Sequence, residues 1–211
     1  LDIDEKALTN ARKNLQRRSS LKITHGDLTN LPFKDESFDK IILTEVIEHI
    51  DKDLLALQEI KRVLRKGGIL ILTTTSIDYP FLWDPVNWLL MKLFHTHIKN
   101  GFFSGIWSNH DKLYKTQKLK KLVEKAGFKV ELTEELTTRC LPFNHYLVNL
   151  VARILYDANL PANLTAPVSK FKNVPKPFWI RAAFYTVNLI DRLNEIIPGK
   201  HGVNILVRVR R

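Results

Sequence analysis

The sequence predicts an α/β fold with a doubly wound, mostly parallel sheet, an antiparallel last strand and helical lid insertions. The first observation is an almost wholly apolar run from Phe38 to Leu43, typical of a parallel strand that is covered on both faces. The second is the acidic residue Glu45, which follows this run after Thr44. Because ligands of open α/β sheets bind beyond the carboxyl ends of the strands, the pattern also predicts where the site lies.

Three elements precede this strand. Leu1 to Asp4 reads as the end of a strand that leads into a helix, with Asp4 as the N-cap. The helix has an apolar face formed by Ala7, Leu8, Ala11 and Leu15. Leu21 to His25 is predicted to be a short strand, stopped by Gly26 and leaving Asp27 at its carboxyl end. Asp2, Asp27 and Glu45 should therefore gather at one edge of the sheet.

The chain after the apolar strand alternates between helix and strand. Asp53 to Leu64 is predicted to be a helix that Gly67-Gly68 closes, and Ile69 to Thr73 the next buried strand. The remaining predicted elements are a helix at Thr116–Ala126, a strand at Lys129–Leu132 and an antiparallel last strand from Val203 to about Arg208 or Val209.

Two stretches exceed what the sheet and its helices need, at about 79–115 and 142–202. Both are rich in large apolar and aromatic residues, and Asp84-Pro85 predicts a helix start in the first. We expect them to cover the strand ends and to form a pocket for a hydrophobic ligand. A private core between them and contact with a membrane surface stay open as alternatives.

Composition is that of a globular protein with a surplus of positive charge. The chain has 211 residues and a net charge of +11, and we expect one domain over residues 1–211. The surplus favours an anionic partner, such as nucleic acid, a phosphorylated substrate or an acidic membrane, or else a solvated basic face. Cys140 is the single cysteine, which excludes an internal disulfide and indicates a reducing, cytoplasmic setting.

Five short motifs occur in order along the first 68 residues. They are Gly26-Asp27-Leu28 with Leu31-Pro32-Phe33, Ser37-Phe38-Asp39, Glu45-Val46-Ile47-Glu48-His49, and Leu64-Arg65-Lys66-Gly67-Gly68. Together they resemble the Rossmann-like class I S-adenosylmethionine (SAM)-dependent methyltransferases, in the branch that modifies small molecules, quinones and lipids. The resemblance implies a SAM-dependent enzyme.

The resemblance also implies which residues bind SAM. Asp2 would accept hydrogen bonds from the ribose hydroxyls, Asp27 from the adenine amino group, and the Leu28 backbone would serve the ring. Glu45 would lie where the methionine end approaches. The structural alternatives are that Asp2 is an acid favoured at a helix start and that Asp27 forms a turn.

Candidates for a catalytic base or an acceptor-orienting group are His49, His110 and Tyr114. Glu45-x-x-Glu48-His49 is close to an inverted zincin motif, but Glu45 stands where the first ligand must be histidine. We therefore predict no metal site. His95 and His97 are expected to be solvated or to lie at a pocket rim, because the sequence offers them no partner ligands.

The predicted acceptor is a small, hydrophobic or lipid-like molecule, with peripheral membrane contact as a further expectation. A nucleic-acid methyltransferase is the first alternative, which the net charge would suit. Thr44-Glu45-Val46-Ile47 lacks the Asn/Asp-Pro-Pro-aromatic turn of enzymes that methylate base amines, and Cys140 is badly placed for pyrimidine chemistry. A non-catalytic SAM-fold protein that binds a partner is the second. The oligomeric state is not predicted.

Leu1 is not an initiator methionine, and the first residues already resemble the end of a strand. We expect the chain to be a fragment that lacks the first strand and Gly-rich turn of the family. Because backbone amides of that turn approach the cofactor, such a fragment should bind SAM weakly or not at all, whereas the full-length protein should bind it well.

Overall fold

The structure is a computed structural model, and it describes residues 1–15, 20–108, 110–139, 146, 178, 181, 185, 189, 192 and 199–211. The chain divides into two compact units. The first consists of Leu1–Thr73, Gln117–Thr133 and Val207–Arg211, and the second of Thr74–Thr116 and Glu134–Leu206. Cys140 and most of the predicted insertion at 142–202 lie outside the described residues. The expectation of a single domain stays a prediction.

Four α-helices have the bounds α1 Glu5–Leu15, α2 Asp53–Val63, α3 Pro85–Phe94 and α4 Thr116–Lys125. Two 3-10 segments, Ile47–His49 and Phe102–Trp107, also have described bounds, and the described residues 146, 178, 181, 185, 189 and 192 are helical as well. Asp4 caps α1, since its Oδ1 accepts the Lys6 amide at 2.8 Å, and Asp84 caps α3 by accepting the Asn87 amide at 3.1 Å. The predicted cap at Asp4 and the predicted helix start at Asp84-Pro85 are therefore confirmed.

The four strands are β1 Phe38–Thr44, β2 Leu64–Thr75, β3 Lys129–Leu136 and β4 Asn204–Arg210, and they lie in the order β1-β2-β4-β3. β1 and β2 are parallel, with Ile41 opposite Leu70 and Leu43 opposite Leu72. β4 runs antiparallel to β2, because Gly67 bonds Arg211 at one end and Ser76 bonds Val203 at the other. The α/β fold with an antiparallel last strand is confirmed.

Each unit has its own buried apolar side chains. Those of the first unit come mainly from α2, β2 and α4, and include Leu57, Ile60, Leu70, Leu119 and Val123, all fully buried. The second unit has a cluster of Tyr79, Ile106, Trp107, Leu113 and Val203, against which Ile77, Trp83, Trp88 and Met91 pack. These clusters fix the strand ends and the loops that carry the candidate site.

The predicted boundary between helix and strand at Gly67-Gly68 is wrong. β2 begins directly after α2 at Leu64, whose backbone is already extended, with φ −79° and ψ 137°. Gly67 donates to the Arg211 carbonyl at 3.2 Å, and Gly68 accepts from the Arg211 amide at 3.0 Å. Pairing with the end of the chain therefore extends the strand through the glycines instead of letting them cap the helix.

Two further predictions about strands are corrected. Leu21 to His25 forms no strand: a single parallel bridge joins His25 to Asp2, and the Asp2 carboxylate then bends the chain by accepting the Asp4 amide. β1 is not covered on both faces, since Ile42 is 69% exposed. β1 is an edge strand of the described sheet, which leaves part of its surface in solvent.

Candidate functional site

In the first unit, Asp2 lies beside the segment that ends at Asp27. The Asp2 amide donates to the Thr24 carbonyl at 3.2 Å, and the Gly26 amide donates to the Asp2 carbonyl at 3.0 Å. Gly26 has little room for a side chain, because an added Cβ would lie 2.8 Å from the Leu1 side chain. The structure therefore places two predicted cofactor residues, Asp2 and Asp27, on adjacent segments, and both are exposed.

Asp27 shapes a tight turn. Its Oδ1 accepts the Thr29 amide at 2.8 Å, and its carbonyl accepts the Asn30 amide at 3.1 Å. The hydrogen bonds from Thr29 lower the pKa of the Asp27 carboxyl, so the group is ionised near neutral pH. Leu28 lies within the turn and is half-buried. Asp27 thus forms a turn, as the structural alternative stated. Its carboxylate is nevertheless exposed and can accept a hydrogen bond from a further donor.

Glu45 follows β1 in a left-handed backbone conformation, with φ 51°. Its amide donates to the Thr73 carbonyl at 3.0 Å, which continues the ladder between β1 and β2 by one residue. A positive φ is uncommon for glutamate and often marks a functional position. The following turn, Ile47–His49, buries Glu48 completely and leaves His49 exposed.

A clamp that the motifs did not indicate holds the loop after Asp27. Glu59 and Arg62 lie on α2, and Glu59 accepts the Leu31 amide at 3.0 Å. Arg62 donates to the carbonyls of Leu31 at 3.0 Å and Phe33 at 2.9 Å, and to both oxygens of Glu59. The hydrogen bond from Arg62 lowers the pKa of Glu59. Glu59 and Arg62 stand one helical turn apart, but the sequence gives no sign of the loop that they bind.

The second unit contains the other two predicted catalytic residues. His110 is half-buried, with Nδ1 2.7 Å from the Ile106 carbonyl oxygen. Tyr114 is 2% exposed, and its backbone bonds to Thr75 at 3.1 Å and to Ile77 at 2.9 Å. Tyr114 is thus fixed beside the end of β2, whereas His49 belongs to the first unit. The catalytic roles of all three residues stay predictions.

The predicted environment of the histidine pair is only partly correct. His95 is exposed and ends α3 in a left-handed conformation, with φ 53°. His97 is only half-buried, and its ring stacks on Trp107 with the ring centroids 3.7 Å apart. Burial, assisted by the nearby charge of Lys99, lowers the pKa of His97 below its ordinary value. The aromatic residues of the predicted lid provide this stacking partner.

A pocket of about 430 Å³ lies within the second unit, beyond the end of β2. Its lining is mostly apolar and aromatic, with charged groups among it: Ile77, Asp78, Tyr79, Pro80, Phe81, Trp88, Met91, Lys92, Lys115 and His201. This volume lies in the range of small-molecule sites. The sequence indicated an apolar pocket in this insertion, but it did not indicate which lysines would line it.

Residues 1–72 match a family model described as "Methyltransferase domain". A demethylmenaquinone methyltransferase of Staphylococcus haemolyticus is 30% identical over 135 residues, which are 61% of this chain and 56% of that protein. A SAM-dependent methyltransferase from Thermotoga maritima is 21% identical with a TM-score of 0.53, over 99% of this chain and 70% of that one. The chain has the class I methyltransferase fold. The predicted resemblance to the SAM-dependent methyltransferases is confirmed.

The class I fold also occurs in a solved structure with a different description. The cyclase SpnF aligns with a TM-score of 0.57 and 13% identity, over 99% of this chain and 64% of that one. The chain spans about half the length of the curated relatives that it matches. Likeness at this level shows the fold, and the activity has to be argued from the residues.

Proposed function

We propose that the protein is a SAM-dependent methyltransferase acting on a small, hydrophobic or lipid-like acceptor. The observation that carries the proposal is the parallel bridge between Asp2 and His25, which sets Asp2 beside the turn of Asp27. SAM offers donors on its ribose hydroxyls and adenine amino group, and exposed carboxylates are acceptors suited to them. The family match over residues 1–72, which contain both residues, supports this reading.

SAM would supply an activated methyl group, and the chain's residues would bind and align its two ends. Asp2 and Asp27 would accept from the ribose and the adenine, while the Leu28 backbone would contact the ring. Glu45 would face the methionine portion, where its strained backbone holds the carboxylate at the end of β1. Glu59 and Arg62 would hold the loop after Asp27, next to the proposed adenine site, in the same conformation when SAM is absent.

The pocket of the second unit is the proposed acceptor site. Tyr79, Phe81 and Trp88 give it aromatic walls, which suit a ring system or an isoprenoid chain. A curated relative acts on demethylmenaquinone, as its name states, and a quinone-like acceptor would agree with these walls. His49, His110 and Tyr114 stay candidates for a base or an acceptor-orienting group, although none of them is among the residues that line this pocket.

Contact with a membrane surface is proposed as well. Phe178, Tyr185 and Leu189 are 85%, 70% and 48% exposed, and they recur at helical spacing with the exposed Arg181 and Arg192. Large apolar residues and arginine on one helix face are typical of helices that lie in a membrane interface. No helix in the described ranges has the length and apolar character needed to cross a membrane.

Calorimetry with SAM on the full-length protein tests the cofactor site. Asp27→Ala should weaken SAM binding by at least about tenfold, since a hydrogen bond to a charged group is lost. Glu45→Gln should weaken it to a similar extent, whereas Glu124→Gln on the exposed face of α4 should leave it unchanged. Unchanged affinity in both site variants would refute the assignment of these residues.

Transfer of labelled methyl groups tests the reaction. With labelled SAM, the protein should methylate a component of a quinone-containing lipid extract and not structured RNA. Label in RNA alone would support the nucleic-acid alternative that the charge of +11 suits. SAM binding with label in neither substrate would favour a non-catalytic role or another reaction on this fold.

A further inference from the structure

The side chains on the apolar side of the pocket in the second unit contact one another. Tyr79 is 2% exposed, and its hydroxyl lies 3.8 Å from the Met91 sulfur. Trp107 donates its indole N–H to the same sulfur at 3.2 Å. Phe81 meets Trp88 edge to face, with ring centroids 5.2 Å apart. These contacts hold the walls in place before any ligand enters, so binding costs little ordering of the protein.

The charged groups of the pocket are unbalanced. Lys92 and Lys115 line it together with Asp78 and His201, so two ammonium groups meet one carboxylate. His201 Nδ1 lies 4.0 Å from a carboxylate oxygen of Glu135, so the imidazole already has an acidic neighbour. Within the described ranges, neither Lys92 nor Lys115 forms an ion pair with a carboxylate. An excess of positive charge beside an apolar wall is suited to an amphipathic anion.

Lys92 has a second contact, which an anion bound in the pocket would have to replace. Its ammonium group lies 5.1 Å from the centroid of the Trp88 ring, close enough for a cation–π interaction. The lysine is exposed, so this interaction is weak, and the flexible stem allows the ammonium to approach an anion. A charge-assisted hydrogen bond to a carboxylate or phosphate is stronger than the contact that it would replace.

We propose that this pocket binds a small amphipathic anion, whose apolar or aromatic body lies against Tyr79 and Trp88 and whose acidic group is held by Lys92 and Lys115. The inference rests on the proposed function, because it names the class of acceptor for that site. The proposed acceptor is then a hydrophobic molecule that also carries a carboxylate, a phosphate or an ionised hydroxyl. Asp78 would repel a dianion more than a monoanion, so a single acidic charge fits best.

Binding of naphthoate and of neutral naphthylmethanol, measured by calorimetry without SAM, tests the proposal. Naphthoate should bind roughly tenfold more tightly, and added salt should weaken it while leaving the alcohol unchanged. Lys115→Gln and Lys92→Gln should each reduce naphthoate affinity roughly threefold to fivefold. Lys118→Gln on α4 removes the same charge away from the pocket and should have no effect.

Equal affinity for the acid and the alcohol, or lysine variants that bind naphthoate normally, would overturn the proposal. An anionic lipid surface offers the same acidic chemistry, so vesicles of phosphatidylglycerol are the second arm. If both lysine variants lose vesicle binding and keep naphthoate binding, the lysines serve the membrane and the proposal is wrong. Failure of the proposed function would appear separately, as absent SAM binding or methyl transfer in the full-length protein, because naphthoate is measured without cofactor.

Discussion

Gly105 is constrained by the buried carboxylate of Asp84. Asp84 is fully buried, caps α3, and accepts the Ile106 amide at 2.9 Å and the Tyr146 hydroxyl. A Cβ at Gly105 would lie 1.8 Å from Asp84 Oδ2, and the backbone there has φ 53°. Gly105→Ala should therefore lower the free energy of unfolding by about 3 kcal/mol, through overpacking and a disturbed buried carboxylate. Urea unfolding measures the loss.

Gly101→Ala is the matched control. Gly101 also has a positive φ, of 85°, but an added Cβ would meet nothing within 4 Å. Its loss should be about 2 kcal/mol, the strain of alanine at φ 85° and ψ −167°, a backbone region that is essentially restricted to glycine. The difference between the two variants reports the contact with Asp84, and equal losses would show that backbone strain alone restricts Gly105.

His97 gives the second unit a dependence on pH. Its folded pKa lies below the ordinary value of 6.5, because burial against Trp107 disfavours the charged ring. Below about pH 6.5 the unfolded chain binds more protons than the folded one, so stability falls as the pH is lowered towards the folded pKa. His97→Phe keeps the stacking and removes the titration. It should reduce the loss of stability between about pH 7.5 and about pH 5.5.

The exposed His95 provides the comparison for His97. His95→Asn tolerates the left-handed conformation at the end of α3 and should keep the wild-type dependence on pH. If His97→Phe also kept it, another group would be responsible. The sequence predicted the helix start at Asp84-Pro85, because proline favours the first position of a helix. It could not predict the stacking of His97, which depends on a residue ten positions later and on the folding of the segment between them.

At the scale of elements, α2 holds the loop from Leu31 to Asp35 through Arg62. Arg62→Lys keeps the charge but loses the planar guanidinium that bonds two carbonyls and Glu59. We expect a loss of about 1–2 kcal/mol in the free energy of unfolding, and faster hydrogen exchange at the Leu31 amide. The affinity for SAM should fall while the rate of methyl transfer at saturating SAM stays unchanged, because the variant loosens the loop next to Asp27.

Arg12→Lys is the control for the arginine clamp. Arg12 pairs with Glu5 on α1, and both side chains are about half exposed, at 48% and 61%. Exposed pairs contribute little, so this variant should change the free energy of unfolding by less than about 0.5 kcal/mol. Similar losses in both arginine variants would mean that the bonds to the loop carbonyls carry no special weight.

Most helices and strands were predictable because their apolar periodicity is local. α4 and β4 appear close to their predicted bounds, and β4 alternates buried and half-buried residues along its length. The start of β2 was not predictable, since it depends on Arg211, more than a hundred residues away. The strand predicted at Leu21 to His25 was wrong for a related reason. A strand needs a neighbouring strand, and the segment at Asp2 pairs with His25 at only one bridge, because the Asp2 carboxylate accepts the Asp4 amide and bends the chain there.

For the whole molecule, binding to anionic vesicles should depend on the helix face of Phe178, Tyr185 and Leu189. Replacing all three with serine should abolish most sedimentation with phosphatidylglycerol vesicles, because the buried apolar area is lost. Ile42→Ser removes an equally exposed apolar side chain from β1 and should leave vesicle binding intact. Undiminished binding of the triple variant would show that charge alone attracts the protein to the surface.

The position of β4 affects how the protein is made. β4 lies between β2 and β3 in the sheet, although residues 204–210 are translated after both. At ordinary rates of synthesis, roughly 7 to 27 s separate the emergence of β2 from the emergence of β4, its second neighbour in the sheet. During this interval the β2 edge presents free amide and carbonyl groups to other nascent chains on the same messenger. Chaperone demand should therefore be highest before residues 204–210 emerge, and codons that slow residues 76–203 should lower the yield of folded protein.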